Sequence, residues 1–264
     1  MSRRRLMGMP LDGIASEEAL ARVRRGLAEG RGGRVLTPNL DILRRYRESS
    51  TLPALFEEVE LLVPDGMPLV WACRLQGTPV AERITGTDML WGMAAVAAEA
   101  DASLFLVGGV PGVAQRAGEV ILAAHPTLRL DSRPLYVEPD EPLAGQLEEI
   151  SHLLVSERPD VVFLGLPFEV QAQLMHELHP RLPATWFLGM GSSFDFLTGD
   201  RKRAPVWLQR IGLEWAHRVA VEPRVRRRYL VEGLPFAARL GLHSVAAGMQ
   251  QRWRGDRAAV RVNR

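Results

Sequence analysis

The sequence predicts an α/β fold: a mostly parallel sheet with helices on both faces, followed by a helical, basic C-terminal appendage. Three observations carry this reading. Short apolar runs rich in β-branched or aromatic residues alternate with longer segments of helical period, as in βαβ units. Five of those runs end in clusters of Gly, Pro, Asn, Asp or Ser, while their opposite ends are plainer. The charge also divides along the chain. Residues 201–264 hold 15 Lys+Arg against 4 Asp+Glu, a balance of +11, whereas the first 200 residues carry −9. The expected organisation of the 264 residues is therefore a core over 1–200 and a basic helical appendage over 201–264.

In chain order, strands are expected at 34–37, 60–63, 103–107, 160–164 and 185–188, with weaker candidates at 4–7 and 128–131. Helices are expected at 16–28 with Ser16 as N-cap, then at 40–47, 68–75, 87–99, 111–125, 143–157 and 169–178. Beyond Arg201 one helix is expected over 205–221, with Leu208, Ile211, Trp215 and Val219 on its apolar side, ending at Glu222-Pro223. An arginine-rich turn and an apolar segment 235–249 follow, and the basic stretch 252–264 is expected to be loose.

One cysteine, Cys73, excludes a disulfide framework and a zinc-thiolate cluster, and suits a reducing compartment. It falls within an apolar helix and reads as core. No apolar run approaches the roughly 18 residues of a spanning helix, and Asp12, Glu17 and Glu18 interrupt any signal-peptide core. A cytoplasmic protein, soluble or peripheral to a membrane, is expected. The basic appendage calls for an anionic partner or is simply a solvated face. No nucleic-acid motif or aromatic interleaving accompanies it.

Ligands of parallel α/β sheets sit beyond the C-terminal strand ends, which places the site on the rim formed by the five Gly/Pro/Asn/Asp/Ser clusters. Asp65, in Pro64-Asp65-Gly66-Met67-Pro68, can take a proton from a hydroxyl nucleophile or merely cap the next helix. Gly108-Gly109-Val110-Pro111-Gly112 follows a strand and opens a helix, which suits a diphosphate or a plain tight turn. Thr85 and Asp88 form a capping box, with Arg83 just before it able to sit over a phosphate. Among the histidines only His176 and His179 share a helical turn, and no third ligand stands nearby, so no metal is expected.

These segments resemble the WecG/TagA/CpsF family of bacterial glycosyltransferases. The resemblance rests on Leu36-Thr37-Pro38-Asn39, Val63-Pro64-Asp65-Gly66-Met67-Pro68, Glu82-Arg83-Ile84-Thr85-Gly86-Thr87-Asp88 and the glycine-rich loop. Phe194-Asp195-Phe196, Gly199, Arg203-Ala204-Pro205, Gly212-Leu213-Glu214-Trp215, Arg218 and Glu222-Pro223-Arg224 extend it. It implies a Rossmann-like core and an inverting, metal-free transfer of an N-acetylmannosamine-type sugar, with no cofactor. The donor would be a UDP-sugar. The acceptor would be a polyprenyl-diphosphate-linked saccharide at the inner face of the cell membrane, in cell-surface polysaccharide or teichoic acid synthesis. By that resemblance Asp65 is the base, with Thr37, Asn39 and Arg83 catalytic beside it. Substrate binding falls to Thr85, Gly86, Asp88, Gly108, Gly109, Pro111, Gly112, Gly165, Pro167, Glu169, Gly191, Asp195, Arg203, Arg218 and Arg224. An anionic membrane surface is an expected partner, and a homo-oligomer is compatible with the sequence.

One block departs from the pattern. Where the family reads Gly-x-Pro-Lys-Gln-Glu, this chain has Gly165-Leu166-Pro167-Phe168-Glu169-Val170. Loss of that cation and amide keeps a non-catalytic UDP-sugar-binding protein as an alternative. An NAD-dependent oxidoreductase is a weaker one, because the first-strand G-x-G-x-x-G and its acidic partner are missing.

Overall fold

The computed structural model describes residues 3–109, 111–133, 143–191, 193–201, 204–210 and 212–262. An antiparallel hairpin, β1 (Arg4–Leu6) and β2 (Met9–Leu11), comes first. Its two-residue turn puts Met7 at φ 49° and Gly8 at φ 92°, the mirror-image turn whose twist suits a hairpin. The sequence pattern predicts only the first of these strands.

The main sheet holds β3 (Gly33–Leu36), β4 (Leu61–Leu62), β5 (Ser103–Gly108), β6 (Arg129–Arg133), β7 (Val161–Gly165) and β8 (Trp186–Gly189). Their order is β4-β3-β8-β7-β5-β6, and every pairing is parallel. The five main strands and the weaker one near 128–131 all take their places in it. Successive side chains point to opposite faces. Leu36, Phe105, Val107, Val162, Leu164 and Phe187 enter one buried cluster, whereas Val35, Leu104, Leu106, Val161, Phe163 and Leu188 enter the other. Both faces are therefore dry.

Helices α1 (Ser16–Ala28) and α2 (Leu40–Glu48) precede a short α3 (Leu52–Glu57) that the hydrophobic period does not disclose. Then come α4 (Met67–Leu75), α5 (Gly86–Glu99), α6 (Val113–Ala124), α7 (Leu143–Glu157), α8 (Phe168–Leu178) and α9 (Ser193–Leu197). Ser16 does not cap α1. Ala15 holds that position without a side-chain bond, and the backbone N–H of Ser16 donates instead to the Glu82 carboxylate.

The single helix expected over 205–221 is two, α10 (Val206–Arg210) and α11 (Glu214–Val221). Gly212 breaks them apart at φ +79°, where a Cβ would come within 2.4 Å of Met67 Cγ. Next are α12 (Pro223–Arg227), a π-helical segment Arg228–Gly233, and α13 (Leu234–Val262). The stretch expected to be loose continues α13 as far as Val262, since no proline after Pro235 stops it. Phe236 and Leu240 are buried in the α4 side of the core. Gly248 lets the two backbones meet: a Cβ there would lie 2.3 Å from the Leu75 carbonyl oxygen.

Such an approach leaves no room for a methyl group. Gly248→Ala is expected to cost about 1–3 kcal/mol, seen as a lowered melting temperature and faster proteolytic cutting within α13. Unchanged melting and cutting would show that α13 does not pack on α4 in this way.

Candidate active site

Because all six strands run in parallel, the helices that follow them begin at one rim. Residues at the starts of α2, α4, α5 and α8 line a single cavity of about 880 Å³. Each helix start presents N–H groups and a partial positive charge to it. The far wall comes from the C-terminal segment, through Glu214, Trp215, Arg218, Val225, Arg228, Tyr229 and the first turns of α13. At one end the cavity is apolar, between Trp71 and Leu75 of α4 and Phe236 and Leu240 of α13.

Asp65 lies at the polar end. Hydrogen bonds lace its loop to the neighbouring strand ends: Asp65 N donates to Pro38 O at 2.8 Å, and Ile84 N to Pro64 O at 3.0 Å. The capping alternative fails here, since α4 has Gly66 as N-cap (φ 108°) and no side-chain cap bond. The Asp65 carboxyl opens only part-way, onto the cavity it lines, with protein packed around it. That burial pushes its pKa up to about 7. Arg83 and Arg218 pull it down, while Glu214 and Asp88 push it further up. A carboxylate with that proton affinity is well matched to general-base work at neutral pH.

The arginines around it are paired. Arg83 Nη1 donates to Glu214 Oε2 at 2.9 Å, tying the loop before α5 to the first turn of α11. Arg218 donates to Glu222 at 3.3 Å, with its guanidinium 5.6 Å from the centre of the Phe196 ring. Arg201 lies 3.3 Å from Asp195, whose carboxyl burial pushes upward in pKa.

The cavity brings together Thr37, Asn39, Asp65, Arg83, Thr85, Gly86, Gly109, Gly165, Pro167, Glu169, Gly191, Asp195 and Arg218. Asn39 also serves the fold, because its Oδ1 accepts from Asp41 N and Ile42 N, both at 3.1 Å, and so caps α2. Thr85 and Asp88 close the capping box of α5 that their spacing predicts, and Asp88 stays off the cavity wall. Gly108, Pro111 and Gly112 are likewise outside it. The glycines serve packing in part, for a Cβ on Gly165 would meet the Phe194 ring at 2.6 Å. Gly109 N is already bonded to Gly165 O at 2.8 Å. Arg203 lies outside the described residues, as does the side chain of Arg224.

In the departing block, Phe168 turns edge-on to Phe56 with ring centres 6.1 Å apart, and the Glu169 carboxylate pairs with Arg45. Sequence reasoning misses Gln171. It is buried on the cavity wall, its Oε1 accepting from Gly191 N at 3.3 Å. A signal is present, since Gln171 is the polar member of a helical stripe with Leu174, Met175 and Leu178. Among the described residues no group of three or more His, Cys, Asp or Glu is arranged to hold a metal ion.

The raised pKa of Asp65 has a thermodynamic signature. In the unfolded chain the carboxyl ionises near its ordinary 3.8, but in the fold it keeps its proton up to about 7. Its contribution to stability is therefore full below 3.8 and is lost as pH rises to about 7. Asp65→Asn is expected to melt a few degrees above the native protein at pH 8 and level with it near pH 4 in thermal scans. A gap independent of pH would contradict the half-buried, proton-holding carboxyl.

Comparison with known proteins sets this site in context. An N-acetylglucosaminyldiphosphoundecaprenol N-acetyl-beta-D-mannosaminyltransferase of Bacillus spizizenii is 26% identical over 204 residues, 77% of each chain. The protein of the same name from Bacillus subtilis is 29% identical over 170 residues, 64% of each chain. The sequence profile of the Glycosyl transferase WecG/TagA/CpsF family matches residues 4–250. With that match running from the first hairpin well into α13, the chain belongs to the WecG/TagA/CpsF family of glycosyl transferases.

Proposed function

We propose that this enzyme moves an N-acetylmannosamine-type sugar from a UDP-sugar to a hydroxyl of a polyprenyl-diphosphate-linked saccharide, inverting the anomeric centre. The observation that carries the reading is Asp65, a half-buried carboxyl with a pKa of about 7, set among arginines and helix N-termini on the cavity wall. In the reaction, ionised Asp65 takes the acceptor's hydroxyl proton as the oxygen bonds to the anomeric carbon. The bond to the diphosphate breaks on the opposite face, and its electron pair leaves with UDP. One displacement inverts the centre. The departing charge is met by helix N-termini and by Arg83 and Arg218. The Bacillus relatives, named for a diphosphoundecaprenol-linked acceptor and an N-acetylmannosaminyl group, support that acceptor and that transferred sugar. The apolar end, between Trp71, Leu75, Phe236 and Leu240, suits the first isoprene units of such a carrier.

A carrier of that kind stays in the bilayer, so the enzyme must come to it. No helix among the described residues is long and apolar enough to cross a membrane. Peripheral binding at the inner membrane face is supported by α13. Of its apolar residues, Phe236 and Leu240 are buried against the core. The others, Leu242, Val245 and Met249, are exposed at 75%, 42% and 60%, and Trp253 extends their helical stripe at 67%. Exposed Arg239 and Arg252 accompany them. Such a face suits anionic headgroups, at about 1 kcal/mol per basic residue near the surface.

UDP release on a lipid-diphosphate acceptor tests the chemistry. Asp65→Asn is expected to lower turnover by about 10²–10⁴-fold with UDP binding little changed; native turnover would refute the base. For the membrane, the native chain should sediment with anionic but not neutral vesicles, less so at high salt. The double variant Leu242→Glu, Met249→Glu should stay in the supernatant. Undiminished sedimentation of that variant would refute the assigned face.

A further inference from the structure

We propose that Glu214 is a positioning residue, a group contributed by the C-terminal segment that holds Arg83 and so sets how strongly Asp65 binds its proton. The inference deepens the proposed function and rests on Asp65 being the base. Its geometric ground is the pair itself. Glu214 Oε2 accepts from Arg83 Nη1 at 2.9 Å, the two side chains being only 20% and 17% exposed, across 131 residues of sequence. A second fit fixes the carboxylate's place. Gly212, two residues earlier, is wedged against Met67 and Trp71 of α4, where a Cβ would come within 2.4–2.9 Å of their side chains. The turn that delivers Glu214 is thus seated on the helix that follows Asp65.

The groups facing Asp65 come from three places: Arg83 before α5, Asp88 within it, and Glu214 and Arg218 on α11. An unpartnered Arg83 would favour the ionised form and leave Asp65 a weak base. With Glu214 beside it, much of the guanidinium charge is compensated and its fork is held in one orientation, yet the cation is still there for a departing diphosphate. Docking of the C-terminal segment therefore tunes the base as well as walling the cavity.

The test is the pH profile of kcat/KM for UDP release, using UDP-N-acetylmannosamine and a short-chain lipid diphosphate of N-acetylglucosamine. Glu214→Gln is nearly isosteric and should move the acidic limb down by about one pH unit. Glu214→Asp, which keeps the charge, should leave the limb nearer its native position, and it serves in place of the Gln variant if thermal melting shows that one unfolded. A limb that does not move in Glu214→Gln, while Asp65→Asn is inactive, would overturn this inference alone. Native turnover in Asp65→Asn would overturn the base assignment and this inference with it. Mere structural support by Glu214 would lower the rate at every pH and leave the limb in place.

Discussion

In the proposed reaction the Asp65 carboxyl has to stay basic beside the same guanidinium groups that a departing diphosphate needs, and these two requirements pull in opposite directions. Burial raises proton affinity, whereas each nearby cation lowers it. The structure meets both by giving the cations anionic partners of their own: Arg83 with Glu214, Arg218 with Glu222, Arg201 with Asp195. The guanidinium charge is retained, and Asp65 still keeps its proton up to about 7. Most of these partners lie in the C-terminal segment, which also forms the far wall of the cavity.

The parallel sheet supplies the rest. Six strands pointing one way bring the starts of α2, α4 and α8 to one rim, the bond from Ile84 N to Pro64 O draws the start of α5 there too, and these positive ends face the cavity. The loops between strand and helix are stitched to one another by backbone bonds, such as Asp65 N to Pro38 O, so the carboxylate sits on a rigid frame. Glycines close the gaps where strand ends crowd Phe194 and where α13 crosses Leu75.

Local signals are legible in the sequence, and long-range ones are not. The alternation of apolar runs and helical periods sets the order of elements, and the Thr85–Asp88 capping box spans only three residues. Motif residues clustering at strand ends point to the rim where the cavity opens. The β1–β2 hairpin is hidden because its turn is Met7-Gly8 rather than Asn-Gly, with Met7 taking a positive φ that methionine seldom adopts. Gly212 reads as part of one helix because its conformation follows from contact with Met67, which no local pattern encodes. Helical period puts Phe236 and Leu240 on one face and Leu242, Val245 and Met249 on the opposite one, yet does not say which face meets α4 and which stays exposed. The Arg83–Glu214 pair is a tertiary fact of the same kind.

Every role proposed for Asp65 requires its surroundings to hold it protonated to near neutrality. Selective 13C labelling of aspartate carboxyls, with Asp65 assigned through its Asn variant, would follow that group directly through a pH titration. A midpoint close to 7 is the expected result. A midpoint near the ordinary 3.8 would contradict the account, for the carboxyl would then be neither desolvated nor poised as a base.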